Sequence, residues 1–273
     1  MAILIIVAIF IWIPNNTASR VLAFVKSNDM LPRTHFELYD ESPDNSESGI
    51  YDIPSASAYS SANLPIGILN QDKTISNQSG IAVDTYPVGV AVNPVTKKMY
   101  TTNEFSNSLS VISGISKSVV GRISVGDFPY GVAVNPFDSR VYVTNRGSDT
   151  VSVIDGSTKL HNITVQNSPV GIAVNPSANW IYVTNINSNT VSVIDGITNK
   201  VTANIIVGKI PYGIAVNPLN NKVYVTNVGS GTISVIDASR NKVTAKITVG
   251  KSPVGIAVNP TTNTIYVTNY ASS

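Results

Sequence analysis

The chain contains no cysteine and only two histidines, and these absences exclude several classes of function. Without cysteine there is no disulfide, no thiolate nucleophile and no cysteine-bound metal. His35 falls in a polar stretch and His161 in a run typical of an outer strand, so both are expected at the surface. No Ser/His/Asp set and no glycine-rich phosphate loop is present. We therefore expect no catalytic residue, no metal and no cofactor.

Charged side chains are also scarce. They make up 12% of the residues, the formal net charge is +2, and the 18 lysines and arginines form no continuous run. This pattern does not predict binding to nucleic acid, which requires a basic stripe or patch. Valine, isoleucine, asparagine, threonine and serine are abundant instead, a mixture that suits short strands joined by tight polar turns. The composition therefore predicts an all-β domain.

The chain has one apolar run of note, at residues 2–13 (AILIIVAIFIWI), and Pro14 ends it. Twelve residues are too few for a helix that spans a membrane, which needs about twenty, and match the core of a signal peptide. Arg20 and Lys26 follow the run, although export signals carry their basic residues in front of it. Residues 1–18 are predicted to be an export signal or an uncleaved anchor. We therefore expect an extracellular or cell-surface protein that contacts membrane only through this segment.

Residues 19–62 are rich in serine, aspartate, asparagine, proline and glutamate, as in DESPDNSES at 40–48. Too few apolar side chains are present there to offset the entropy of ordering the backbone. The composition predicts a disordered polar linker that holds a folded domain, residues 63–273, away from the N-terminus.

A repeat occupies the rest of the chain. The last residues of successive YVTN or YTTN segments are 42, 40, 42 and 42 positions apart, and such a period marks a solenoid, propeller or array. AVNP precedes each of these segments, and SVID or SVIS follows four of them. The AVNP segments begin at residues 91, 133, 173, 215 and 257, and the YVTN-type segments at residues 100, 142, 182, 224 and 266.

Each complete unit contains four strand-like runs, as in YGIAV, KVYVT, TISVI and KVTAKITV between residues 212 and 249. Asn-Pro and glycine turns separate the runs and indicate antiparallel hairpins. The two inner runs are apolar on both faces, whereas the last run alternates and carries lysines, as an outer edge should. Four antiparallel strands per unit of this length predict the blade of a β-propeller.

The last unit stops after its second strand. Residues 66–70 (IGILN) and 73–83 (KTISNQSGIAV) resemble degenerate forms of the missing third and fourth strands. We predict a propeller of five blades, one of them a composite blade closed by both termini, because such closure leaves no open sheet edge at the seam. The alternative is a fragment of a longer propeller with perhaps seven blades.

The segments YGIAVNP, YVTN and SVIDG together resemble the YVTN-repeat β-propeller family, over residues 87–269. That family is known from archaeal surface-layer proteins, other cell-surface proteins and some bacterial proteins. The resemblance implies a surface location and a binding or structural role, and it supplies no catalytic motif. Its members commonly have seven blades, which is more than this chain provides.

The asparagines that end YVTN and the aspartates that end SVID recur in successive units. A ring of metal ligands is one interpretation. We favour another, in which these short side chains bond the backbone of their own turns, since a residue present in every blade is best explained by what every blade needs.

Function in a propeller is expected where the units differ. The loops that lead into the first strand, and those between the second and third strands, should emerge on one face around the channel mouth. Their aromatic and charged residues predict a site for a protein or glycan partner, with neutral variation between loops as the alternative. A further alternative is a lactonase- or lyase-like enzyme that uses Glu104, Asp127, Arg146 and Asp149. The candidate binding residues are Glu104, Phe105, Asp127, Phe128, Tyr130, Arg146, Asp149, Lys209, Tyr212 and Lys251.

Overall fold

The computed structural model describes residues 6–9, 21–24 and 80–271. Strands β1 (Ile6–Ile9) and β2 (Val21–Phe24) pair with each other in an antiparallel sheet of two. The predicted signal or anchor at 1–18 and the predicted linker at 19–62 otherwise lie outside the described residues, and both stay predictions. No helix in the described part of the chain is long and apolar enough to cross a membrane.

The repeat units fold as predicted, into blades of a β-propeller. Four units form sheets of four antiparallel strands in chain order, and the fifth contributes a sheet of two. The first blade holds β3 (Pro87–Asn93), β4 (Lys98–Asn103), β5 (Ser108–Ser113) and β6 (Ser118–Ser124), with a short 3-10 helix at Glu104–Ser106. The second holds β7 (Pro129–Val134), β8 (Val141–Asn145), β9 (Thr150–Asp155) and β10 (Thr158–Thr164). The third holds β11 (Pro169–Asn175), β12 (Trp180–Asn185), β13 (Thr190–Asp195) and β14 (Lys200–Ile206). The fourth holds β15 (Pro211–Asn217), β16 (Lys222–Asn227), β17 (Thr232–Asp237) and β18 (Lys242–Thr248), and the fifth holds β19 (Pro253–Asn259) and β20 (Thr264–Asn269).

The first strand of each blade is the innermost. Successive inner strands are neighbours, in the order β3, β7, β11, β15 and β19. Strand β1 lies beside β19 on one side and β3 on the other, so the β1–β2 hairpin stands at the seam between the fifth and first blades. The seam therefore includes an N-terminal element that the repeat pattern does not reveal.

The core lies between the blades, because both faces of the middle strands are covered. Tyr142 and Val153 of the second blade, for example, share one buried cluster with Ile181 and Ile194 of the third. The outer strands alternate between exposed and half-buried side chains. The alternating pattern of the last strand in each unit thus correctly predicted an outer strand.

Part of the predicted composite blade can be placed. Val83 is buried against Ile112 of the first blade, as Val207 at the end of the third blade packs in one cluster with Ile236 of the fourth. Residues 81–83 therefore occupy the position that the end of an outer strand takes before each later blade. The other residues predicted to complete that blade, 66–70 and 73–79, lie outside the described residues.

The YVTN threonine joins each blade to the next. Thr184 Oγ1 accepts from the Gly171 N–H at 2.8 Å and donates to the Tyr212 carbonyl oxygen of the following blade at 2.8 Å. Thr102, Thr144 and Thr226 donate in the same way to the carbonyl oxygens of Tyr130, Val170 and Val254.

The YVTN asparagine is also structural, as predicted. Asn227 is fully buried, and its Oδ1 accepts from the Gly208 N–H at 3.0 Å. Its Nδ2 donates to Thr232 Oγ1 at 3.1 Å and to Ser234 Oγ at 3.0 Å. Asp195 likewise bonds its own turn, since its Oδ1 accepts from the Ile197 N–H at 2.8 Å. The own-turn prediction thus holds for Asp195, whereas Asn227 also binds the loop that enters its blade, through the Gly208 N–H.

Candidate functional site

Antiparallel pairing puts the loops that lead into the first strands and the loops between second and third strands at the same end of every blade. We call this end the mouth face, and the other end, with the remaining turns, the opposite face. The second residues of the inner strands β3, β7, β11 and β15 pack together around the axis. Val88, Tyr130 and Val170 form a buried cluster there, with Ile186 and Tyr212 packed against it.

Two tyrosines meet across the axis. Tyr130 belongs to the second blade and Tyr212 to the fourth, and their hydroxyl groups form a hydrogen bond. Their rings are arranged edge to face, with centroids 6.0 Å apart and an interplanar angle of 88°. Because they come from blades that are not neighbours, this pair bridges the channel.

An ion pair lies next to the tyrosine bridge. Arg146 Nη2 is 3.8 Å from Glu104 Oε1, and the guanidinium carbon lies 5.9 Å from the centroid of the Tyr130 ring. The side chain of Glu104 is 9% exposed and that of Arg146 is 44% exposed. Both residues directly follow the YVTN-type asparagine, a position held in the other three units by Ile186, Val228 and Tyr270. We call Glu104, Tyr130, Arg146 and Tyr212 the mouth group.

Burial raises pKa values within the mouth group. It raises the pKa of the Glu104 carboxyl, and the nearby Arg146 charge opposes that rise. Burial also raises the pKa of the Tyr130 hydroxyl far above its usual range, and raises the pKa of Tyr212 as well. Both hydroxyls therefore stay protonated at neutral pH. The group offers a carboxyl, a guanidinium and hydroxyl donors beside an apolar wall.

Three exposed aromatic rings lie on the same side of the mouth face. Tyr86 and Phe105 are stacked, with centroids 4.5 Å apart and an interplanar angle of 27°. Phe105 and Phe128 meet edge to face at 6.4 Å and 85°. Each residue is between 40% and 60% exposed. We call these three residues the aromatic cluster; Phe105 follows Glu104 directly in the chain, so the cluster adjoins the mouth group.

The backbone holds these rings in place. Phe128 has a φ of 50° and Tyr86 a φ of 59°, left-handed values that bulky residues rarely adopt. The Phe128 N–H donates to Asn107 Oδ1 at 2.9 Å, and its carbonyl oxygen accepts from the Arg146 N–H at 3.0 Å. Two hydrogen bonds to neighbouring loops thus stabilise an otherwise strained conformation.

The structure brings six of the ten candidate residues together in or beside these two sets: Glu104, Phe105, Phe128, Tyr130, Arg146 and Tyr212. The remaining four belong to neither set. Asp149 Oδ1 accepts from the Ser168 N–H at 2.8 Å, which gives this carboxylate a structural role in the loop. Asp127 is exposed, and its Oδ1 accepts from Asn107 Nδ2 at 3.3 Å. Lys209 and Lys251 are exposed in the loops that lead into the fourth and fifth blades.

Sequence reasoning did not select Tyr86. The sequence did contain a signal for Tyr86: it holds the same position in its unit as Phe128, directly before the proline that begins an inner strand. Among the described residues, no three histidine, aspartate or glutamate side chains are grouped so that they could hold a metal ion.

The raised tyrosine pKa values predict a loss of stability at high pH. A hydroxyl with a pKa above its usual value of 10.0 when folded stabilises the fold below pH 10, and that contribution disappears as the pH rises further. The free energy of unfolding, measured with urea at increasing pH, should therefore fall more steeply above pH 10 for the unmodified protein than for the double variant Tyr130→Phe/Tyr212→Phe. Tyr270→Phe, at an exposed ring, serves as the control and should keep the unmodified slope. Equal slopes for all three proteins would contradict the prediction.

Comparison with known proteins supports the fold. No family model matches the chain, and no curated protein matches its sequence. Among solved structures, Kuenenia stuttgartiensis hydrazine synthase matches with a TM-score of 0.64 and 21% identity over 73% of this chain. The match spans 58% of the hydrazine synthase chain. A streptogramin B lyase structure matches with a TM-score of 0.66 and 15% identity, over 76% of this chain and 70% of the other.

The described strands and these structural neighbours define the protein as a β-propeller of four-stranded antiparallel blades. At such low identity the likeness concerns the fold alone.

Proposed function

We propose that the chain is a non-catalytic, surface-displayed propeller of the YVTN-repeat type, which binds a protein or glycan partner at the aromatic cluster and the mouth group. The observation that carries the proposal is the aromatic cluster itself. Tyr86, Phe105 and Phe128 expose three rings that already touch one another, on loops fixed by hydrogen bonds.

Such an arrangement suits recognition for a physical reason. Rings that are fixed before binding lose little conformational entropy on contact, and large aromatic side chains dominate the energetics of many interfaces. The neighbouring Glu104–Arg146 ion pair adds directional hydrogen-bonding groups to an otherwise apolar surface. A saccharide ring or an extended peptide offers both the apolar face and the polar groups that this surface would bind.

The surface location rests on two sequence observations. The apolar segment at 2–13 has the size of an export signal core, and the repeated segments resemble those of cell-surface propellers. The polar stretch that follows would separate the propeller from its point of attachment.

The binding proposal is tested with aromatic variants. We expect Phe105→Ala/Phe128→Ala to weaken binding to a ligand identified on glycan arrays, or by cross-linking to envelope material, by about 100-fold or more, since buried aromatic anchors commonly contribute 2 kcal/mol each. The control is Val120→Ala/Ile206→Ala, which removes exposed apolar side chains from outer strands. Equal affinity of the aromatic and control variants would refute the site.

A second candidate function is catalysis at the mouth. One observation favours it: a largely buried carboxyl with a raised pKa lies beside an arginine and a buried tyrosine, which is a common setting for acid–base chemistry. One structural neighbour is also a lyase.

The test for catalysis is a screen of the unmodified protein against lactones and streptogramin B. Turnover that disappears in Glu104→Gln and persists in Asp149→Ala would replace the binding proposal. Absence of turnover, together with loss of binding in the aromatic variant, would support it.

A further inference from the structure

The opposite face carries five large apolar side chains that point into solvent. Each is between 71% and 77% exposed, and among the other described large apolar residues only Ile206 exceeds that range. The apolar residues on the mouth face are 40–60% exposed. The five are Val95, Ile115, Phe137, Ile197 and Leu219.

These side chains share one face because of the topology. Val95, Phe137 and Leu219 lie in turns between first and second strands, and Ile115 and Ile197 lie in turns between third and fourth strands. In an antiparallel blade both kinds of turn are at the same end. The apolar side chains therefore project in one general direction.

The turns that carry them are held in place by hydrogen bonds. The N–H groups of Val95, Phe137 and Leu219 each donate at 3.0 Å to the side-chain oxygen of the asparagine two residues earlier. The Ile197 N–H donates to Asp195 Oδ1 in the same way. Four of the five side chains thus extend from turns with a fixed backbone.

Charge distinguishes the opposite face from the mouth face. The opposite face holds nine lysines and arginines but only four aspartates, whereas the mouth face holds three basic and four acidic residues. Six of the nine basic residues form no ion pair within the described part of the chain. These six are Lys97, Lys98, Lys117, Lys159, Lys200 and Lys242.

We propose that the opposite face docks on an anionic lipid bilayer, as a membrane contact beyond the N-terminal segment to which the sequence analysis limited it, with its apolar side chains in the headgroup region and its lysines against the lipid headgroups. Separate apolar tips surrounded by lysines are the composition of interfacial membrane binders. The core of a protein–protein interface is instead depleted in lysine. Docking in this way would point the mouth face, and the proposed binding site, away from the membrane.

The absence of cysteine allows a direct test with single labelling sites. Phe137→Cys and Leu219→Cys probe the opposite face, Ile206→Cys an outer strand and Phe105→Cys the mouth face. Each full-length variant carries an environment-sensitive fluorophore and is mixed with phosphatidylcholine vesicles with or without phosphatidylglycerol. We expect a blue shift, and quenching by spin-labelled lipid, at Phe137 and Leu219 only and only with phosphatidylglycerol.

Charge variants give an independent measurement. Vesicle co-sedimentation of Lys117→Gln/Lys200→Gln/Lys242→Gln should show a partition coefficient about 100-fold lower at low salt, since each lysine near an anionic surface contributes roughly fivefold. Lys246→Gln, on an outer strand, is the control and should partition like the unmodified protein.

Three results would overturn the proposal. Equal quenching at all four labels would indicate immersion without orientation, and unchanged partition of the charge variant would assign binding to the N-terminal apolar segment. A concentration-dependent blue shift at Phe137 without vesicles would show that a second copy of the chain covers this face instead.

Discussion

Replacing Gly171 with alanine should lower the free energy of unfolding by about 3 kcal/mol, because overpacking at a rigid contact forces the backbone to move. A Cβ atom at this position would overlap with the Tyr212 carbonyl oxygen and lie 2.8 Å from Thr184 Oγ1. These two atoms form the hydrogen bond that joins the third blade to the fourth. The alanine would therefore separate two blades at the point where they are joined most closely. Urea unfolding followed by circular dichroism measures the loss.

Gly121→Ala is the matched control for this substitution. Gly121 lies in outer strand β6, where a Cβ would meet only Val111 at an ordinary contact distance of 3.7 Å. Alanine there should be neutral, or stabilise the fold by up to about 1 kcal/mol through the lower entropy of the unfolded chain. Similar unfolding midpoints for the two variants would show that the close approach at Gly171 is not critical.

Thr184→Val should cost about 2–4 kcal/mol, because it leaves two half-buried main-chain groups without their threonine partner and an unsatisfied group costs about 1–3 kcal/mol. The register between β11 and β12 shifts between Pro169 and Ile172, so the Thr184 hydroxyl serves Gly171 where the regular pairing is interrupted. Valine keeps the shape of threonine and its preference for strands, so the loss reports on the hydroxyl alone. The measurement is again the free energy of unfolding.

Thr268→Val, in the fifth blade, is the control for Thr184→Val. Thr268 Oγ1 accepts from the Gly255 N–H at 2.9 Å, but it donates to no following-blade carbonyl within the described residues, and Thr268 is exposed. Thr268→Val should therefore cost less than about 1 kcal/mol. An equal loss of unfolding free energy in Thr184→Val and Thr268→Val would show that the hydrogen bond to the next blade does not stabilise the fold.

The blade architecture could be predicted because every unit repeats the same local signals. AVNP marks a turn, YVTN a buried strand, and their spacing leaves room for two further strands in each unit. The β1–β2 hairpin could not be predicted in this way. A short apolar run such as residues 2–13 fits a signal core and a buried strand equally well, and periodicity does not separate the two.

The sequence predicted which loops form the candidate site but not which of its side chains contact one another. Comparison of equivalent loop positions singled out Glu104 and Arg146, and the structure places them on adjacent blades within reach of each other. The meeting of Tyr130 and Tyr212 depends on the radius of the ring, which no local pattern encodes. Asp149 was selected for its charge, although its equivalents Asn107 and Asn189 already pointed to a loop role.

The junctions between blades also bear on how such a gene can change. Each junction uses a glycine, a threonine hydroxyl and a main-chain carbonyl, and the carbonyl is supplied by whatever residue follows the proline, valine and tyrosine alike. A duplicated stretch encoding one blade would thus find suitable partners on both flanks at once. Gain or loss of one whole unit would therefore keep every junction intact, whereas a change at the glycine or the threonine would weaken one of them.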